Sequence, residues 1–260
     1  MLTLPDALKR CLHDSMTWSI GRISDKQGAI FPVEELAISR AVAKRRNEFV
    51  AGRTCAREAL HALGYPATAL PVEEDRRPAW PDGVVGSIAH SGEWATAIAV
   101  DRGRFAGIGV DLEQDEPLEK DLYAMVLRPE ERQLLSQSTN PDFSAVDVAK
   151  LIFSIKEASY KAVSHRIGRW VDFQDASVSI TFEDREFVTS FLSSAVTTDE
   201  PLTSARGTFG HAEGYVVTVA YLPGPGCFVG TFSPSSRHRR STRLSLTCQP
   251  ASRSKAAIRR

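Results

Sequence analysis

The sequence predicts an α+β fold made of two related halves, and three observations carry that expectation. Apolar residues recur at helical spacing in two separate segments, 33–63 and 143–165. Short β-rich runs follow each of them, over 84–113 and again over 176–222. His90-Ser-Gly-Glu-Trp-Ala-Thr-Ala-Ile-Ala-Val is also echoed at a constant offset by His211-Ala-Glu-Gly-Tyr-Val-Val-Thr-Val-Ala-Tyr, a faint internal similarity that would place matching hairpins in two lobes.

Segment 33–63 reads as one or two helices, with Gly64 and Pro66 supplying the stop. Segment 84–113 is broken by Ser91-Gly92-Glu93 and by Asp101-Arg102-Gly103-Arg104, turn chemistry that makes a three-strand meander the simplest arrangement. In 143–165, Leu151, Ile155, Ala158 and Ala162 trace one helix face, and Gly168 stands near its end. Four strands should follow, over 176–182, 187–192, 205–211 and 215–222. The expected division is an N-terminal lobe over 1–114, a C-terminal lobe over 115–232 and a tail over 233–260 that is too poor in large apolar residues to fold.

Composition narrows the class of protein. The 260 residues are 42% hydrophobic and 25% charged, as in ordinary globular chains, so one large core or two smaller ones can be buried. No apolar run approaches the roughly 20 residues that cross a bilayer, and Asp6, Lys9, Arg10 and Asp14 interrupt any export signal, which points to a soluble, cytoplasmic protein away from membranes. The widely spaced Cys11, Cys55, Cys227 and Cys248 form neither a metal knuckle nor a dense disulfide framework, and reduced, buried thiols are expected. The formal charge of zero hides an asymmetry: eight of 32 basic residues lie after Ser233, leaving 24 against 32 acidic residues before it. An acidic body that binds a polyanion must gather positive charge locally.

Four constellations could do so, and each has a plain structural alternative. Gly107-Ile-Gly-Val-Asp-Leu-Glu113 reads as a buried strand whose Asp111 and Glu113, two apart, point to one face; they form a solvated strand end or the hard oxygen ligands of a divalent cation. On the later helix, Glu157 and Lys161 are four apart. They are a surface ion pair, or else Glu157 is a third ligand and base while Lys156 and Lys161 offset phosphate charge from two sides of the helix. His90, at the end of Gly86-Ser-Ile-Ala-His90, is a capped turn residue or a phosphate donor. Arg45 and Arg53, two helical turns apart, are a solvated basic stripe or a clamp for one terminal phosphate.

Taken in order, these motifs resemble one family. Gly-Ile-Gly-Val-Asp-Leu-Glu, followed some forty residues on by Phe153-Ser-Ile-Lys-Glu-Ala-Ser-Tyr-Lys-Ala162, is similar to the paired signature of the 4′-phosphopantetheinyl transferase superfamily. Arg45-Arg-Asn-Glu-Phe49, Arg53, Trp80-Pro-Asp-Gly83 and Gly86-Ser-Ile-Ala-His-Ser91 resemble its two-lobed, surfactin-type and enterobactin-type branch. The resemblance spans residues 33–170. It implies a pseudodimer of two similar α+β lobes with the active site in the cleft between them. The phosphopantetheine arm of coenzyme A would pass to a serine of apo acyl or peptidyl carrier proteins, with Mg²⁺ as cofactor. By the same resemblance Asp111, Glu113 and Glu157 match the magnesium ligands, and Glu157 the general base. Lys161 matches the pyrophosphate contact, with Lys156 in a similar role. His90, Arg45 and Arg53 match the phosphate-binding residues, and Arg77, or its neighbour Arg76, a further phosphate contact. Ala89 departs from the Ser or Thr that many relatives place before the histidine, and the tail has no counterpart.

A fused two-lobe chain should complete its site as a monomer. The competing expectations are a non-catalytic module that binds coenzyme A or carrier proteins, a metal-dependent phosphohydrolase, and nucleic-acid binding through the basic tail, an unneeded reading if the tail is simply solvated.

Overall fold

A computed structural model of the chain describes residues 2–137, 147–167, 171–192 and 204–224. The chain begins with α1 (Leu4–Arg10), where Thr3 and Asp6 cap each other's backbone N–H groups in a reciprocal box. Strand β1 (Thr17–Arg22) follows. The segment expected to hold one or two helices forms two, α2 (Pro32–Ile38) and α3 (Ala43–Ala62). Strands β2 (Val84–Ser91) and β3 (Trp94–Asp101) make an antiparallel hairpin, and β1 adds to the free side of β3, giving the order β1-β3-β2. Helix α3 lies on this sheet through small residues, Ala51, Cys55 and Ala59 against Ala95, Ala97 and Ala99, so helix and strands approach closely.

Strand β4 (Phe105–Gln114) does not complete the expected meander. It joins a second antiparallel sheet with β5 (Ala176–Thr181), β6 (Glu186–Phe191), β7 (Ser204–Ala212) and β8 (Tyr215–Pro223), in the order β4-β8-β7-β6-β5. The reason lies in its two faces. Ile108, Val110 and Leu112 share a core with Val85, Ala89, Ile98 and Val100 of the first sheet, whereas Gly107 and Gly109 receive the long helix that crosses the second sheet. β4 therefore stacks on β2 instead of extending its ladder. By hydrogen bonding it belongs with the second sheet. Helix α1 also leans on the second sheet, where Thr208 Oγ1 donates to Cys11 O at 2.8 Å.

The short helices α4 (Tyr123–Val126) and α5 (Pro129–Gln137) lead to α6 (Val148–Ile167), whose first turn is capped by the Asp147 carboxylate at 2.9 Å from Lys150 N. Leu151, Ile155, Ala158 and Ala162 face the second sheet as the periodicity requires. The result is the two-sheet α+β architecture that the sequence predicts, each sheet carrying one long helix. Cys11 and Cys55 are free and buried. Gly168, Cys227, Cys248 and the basic tail lie outside the described residues. No described helix is long and apolar enough to cross a membrane.

Candidate active site

The site forms where α6 rests on β4. A side chain at Gly107 or Gly109 would collide with the backbone of Ala158 and Ala162, so glycine at these two positions lets the helix sit directly on the strand. That contact carries Asp111, at the end of the strand, beneath the polar face of α6. Lys161 Nζ donates to Asp111 Oδ1 at 2.7 Å and to Val110 O at 3.1 Å. Ser154 Oγ donates to the other carboxylate oxygen, Asp111 Oδ2, at 2.8 Å. Glu113 stands 3.7 Å from Lys150 Nζ.

Electrostatics bind the cluster together. Burial pushes the Glu113 carboxyl up to about 7, and the neighbouring charges of Asp111 and Glu157 add to the rise against the pull of Lys150 and Lys161. Burial likewise raises Glu157, reinforced by Asp111 and opposed by Lys161. Burial alone would depress Lys161, but the attraction of Asp111, Glu157 and Glu113 wins and holds its ammonium above the ordinary lysine range. All three carboxylates expected as ligands thus act on one ammonium. Among the described residues, however, no three His, Cys, Asp or Glu side chains are gathered tightly enough to enclose a metal ion. In this arrangement the positive charge among the carboxylates comes from Lys161, on Asp111, and Lys150, on Glu113. The donor set, three carboxylates and no nitrogen or sulfur, has the chemistry of a site for a hard divalent cation such as Mg²⁺.

A second cluster adjoins it at the end of β2. Arg45 Nη1 donates to His90 Nε2 at 2.8 Å, which leaves the imidazole proton on Nδ1, 3.8 Å from Glu48 Oε2. Burial lowers the His90 pKa, with Arg45 and Lys161 pushing the same way and Glu48 and Asp111 opposing. Arg53 is only 6% exposed; it lies over the Phe49 ring at 4.4 Å, and its Nε donates to Leu70 O at 2.8 Å. Burial lowers its pKa to about 10, and the nearby Arg45 adds to the fall. Arg45 and His90 therefore face outward together, with Arg53 packed behind them.

Two of the expected contacts look different in the fold. Lys156 does not flank the phosphate side of α6. Its ammonium is buried with three acceptors, Glu131 Oε2 at 2.7 Å, Val126 O at 2.8 Å and Phe173 O at 2.9 Å, because an unpaired cation could not be held in that interior. Arg77 lines a cleft of about 460 Å³ between β2 and α6, but Asp75 at 2.5 Å and Glu73 at 3.2 Å already hold its guanidinium. Arg76 lines the same cleft from a backbone φ of 70°. Lys161, whose ammonium holds Asp111, forms part of the opposite wall.

Sequence reading missed Lys150, Ser154, Glu48 and Thr218. Ser154 and Lys161 are seven apart on one helix, and that spacing is the signal that could have placed both over Asp111.

Comparison with known proteins places the chain among described families. The family described as 4′-phosphopantetheinyl transferase N-terminal domain matches residues 33–100, and the 4′-phosphopantetheinyl transferase superfamily matches residues 107–220. The chain is 36% identical over 200 residues to 4′-phosphopantetheinyl transferase Npt of Nocardia iowensis, covering 73% of this chain and 88% of that one. It is 33% identical over 196 residues to 4′-phosphopantetheinyl transferase PptT of Mycobacterium tuberculosis, covering 74% and 85%. Enterobactin synthase component D of Salmonella typhi is 38% identical over 126 residues, 48% of this chain and 50% of its own length.

Proposed function

This chain belongs to the 4′-phosphopantetheinyl transferase superfamily, and we propose that it moves the phosphopantetheine arm of coenzyme A onto a serine hydroxyl of apo acyl or peptidyl carrier proteins. The observation that carries the reading is Lys161, held on Asp111 where α6 sits on β4 and drawn also by the charges of Glu157 and Glu113, beside the Arg45–His90 pair.

The chemistry assigns each group a task. The serine oxygen attacks the β-phosphorus of coenzyme A, the phosphoanhydride bond breaks, and adenosine 3′,5′-bisphosphate leaves with the bonding electrons. Glu157, whose raised pKa makes it a better base than an ordinary carboxylate, takes the serine proton, a role worth about 10² to 10⁴ in rate. Lys161 supplies fixed positive charge to the diphosphate from a partly enclosed position. Arg45 and His90 hold the 3′-phosphate, with Arg53 supporting them from behind. Asp111, Glu113 and Glu157 would hold Mg²⁺, which would neutralise and orient the diphosphate. Lys156 has no part in this scheme. A pocket without turnover fits less well, since such a module has no use for a costly group of mutually repelling, partly buried carboxylates.

The deciding experiment incubates purified apo carrier proteins with the chain and coenzyme A, with and without Mg²⁺, and follows the carrier mass. A phosphopantetheine mass gain that requires Mg²⁺ is expected. Release of adenosine 3′,5′-bisphosphate with no change in any carrier would mean hydrolysis and would remove the transferase reading.

A further inference from the structure

We propose that Ser154 and Thr218 are positioning residues that hold the Asp111 carboxylate so that one oxygen stays turned toward Lys161. The inference rests on the reading of Asp111 as a cation ligand and goes beyond it, to how that ligand is kept in place.

Three elements converge on this one carboxylate. Asp111 of β4 stands directly opposite Thr218 of β8 in the strand register, and Ser154 of α6 lies over both. Ser154 and Thr218 are fully buried, and Asp111 is only 5% exposed. The hydroxyl protons can be assigned by counting. An ionised carboxylate only accepts, so the 2.8 Å contact uses the Ser154 proton. Thr218 must then be the donor in its contacts with Ser154, to the hydroxyl at 2.9 Å or to the main-chain oxygen at 3.0 Å. In either case Thr218 donates to Ser154, fixing its main chain or its hydroxyl, and Ser154 donates to Asp111 Oδ2. Buried hydrogen bonds joined in this way hold the Ser154 hydroxyl over Oδ2 and with it the carboxylate plane.

The consequence falls on the other oxygen. With Oδ2 satisfied inside the protein, Oδ1 is left for a charge partner, and Lys161, which lines the cleft, takes it. Without the Ser154 hydroxyl, Oδ2 would be a buried acceptor with no donor. The carboxylate would then gain by turning so that both oxygens compete for Lys161. That rotation would withdraw the cation ligand and hold Lys161 away from the diphosphate.

A second pair on the same helix provides the control. Ser159 Oγ and Thr189 Oγ1 lie 2.7 Å apart, both fully buried between α6 and β6, with no carboxylate in their hydrogen bond. If buried hydroxyl pairs merely fasten the helix to the sheet, the two pairs should be interchangeable in effect.

The test measures coenzyme A binding by calorimetry across a Mg²⁺ titration, with turnover followed in parallel. Ser154→Ala suits the helix and Thr218→Val keeps shape in a strand, so both should fold. Each is expected to raise the half-saturating Mg²⁺ concentration by about 10- to 100-fold, the usual effect of removing a group that orients a metal ligand. Turnover at saturating Mg²⁺ should be largely restored. Thr218→Ser, which keeps the hydroxyl, and Ser159→Ala should remain near the native Mg²⁺ requirement. Native half-saturation in both Ser154→Ala and Thr218→Val, while Asp111→Ala has lost its Mg²⁺ response, would overturn the positioning role and leave the site standing. An unchanged Mg²⁺ response in Asp111→Ala would remove Asp111 from the site and this inference with it. Equal shifts in Ser159→Ala would show a general loosening of α6 and would also overturn it.

Discussion

Replacing Gly109 with alanine should damage the site without touching any charged group. A methyl built on Gly109 would stand 2.8 Å from Ala162 N and closer still to Ala158 O. Carbon contacts of this kind settle near 3.5 Å or beyond, so α6 would have to withdraw by more than about 1 Å to admit it. No flexible side chain can absorb the clash, because the obstructing atoms are helix backbone. Overpacking of this sort costs about 1–3 kcal/mol, which should appear as a lower midpoint in urea denaturation. The functional loss should exceed what that figure suggests. Ser154, Glu157 and Lys161 all ride on α6, so a 1 Å withdrawal separates them together from Asp111, and a misplacement of that size can cost about 10²-fold in rate. The assay is transfer to an apo carrier protein at saturating coenzyme A, under conditions where denaturation shows the variant folded. Near-native transfer by folded Gly109→Ala would refute the argument that helix seating sets the site.

Other perturbations separate structural from chemical roles. Lys156→Met should leave a buried Glu131 without its partner and lose about 3–5 kcal/mol in denaturant unfolding, while any folded fraction keeps native affinity for coenzyme A. Arg45→Ala should weaken coenzyme A by roughly 10- to 100-fold in calorimetry but leave dephospho-coenzyme A nearly unaffected; an equal loss on both would move Arg45 off the 3′-phosphate. The folded-state pKa of Glu113, about 7, lies above its ordinary value of 4.5, so between those values the folded protein binds more protons than the unfolded chain. Stability of the metal-free protein should therefore fall as pH rises through that window and level off above it. Glu113→Gln should remove this slope and be the more stable form at pH 8, and a wild-type stability that rises over the same range would contradict it.

The long helices, the four late strands and the acidic residues could be read from the sequence because each rests on a local regularity. Leu151, Ile155, Ala158 and Ala162 repeat at helical spacing, and Asp111 and Glu113 alternate on a strand. The short elements were harder to see: α1 spans one capping box and α4 four residues, too little for periodicity to register. The place of β4 was misjudged because turn residues say where a strand starts and not which strand it pairs with; only its two contrasting faces decide that. Lys156 and Lys161 show the same limit in the site. Five residues apart on one helix, both are charged and both follow motif positions, yet one closes a buried network with Glu131 and the other faces Asp111. Which lysine does which depends on α5 and the 3-10 turn that begins at Phe173, and no spacing within α6 encodes them.

The account depends on chemistry at the junction of β4 and α6, and Glu157→Gln tests it most directly. The variant keeps the shape of the side chain and removes its capacity to take a proton. It should fold, bind coenzyme A and lose at least about 10²-fold in transfer to an apo carrier protein under single-turnover conditions. Transfer at the wild-type rate by that variant would contradict the assignment of the reaction to this site.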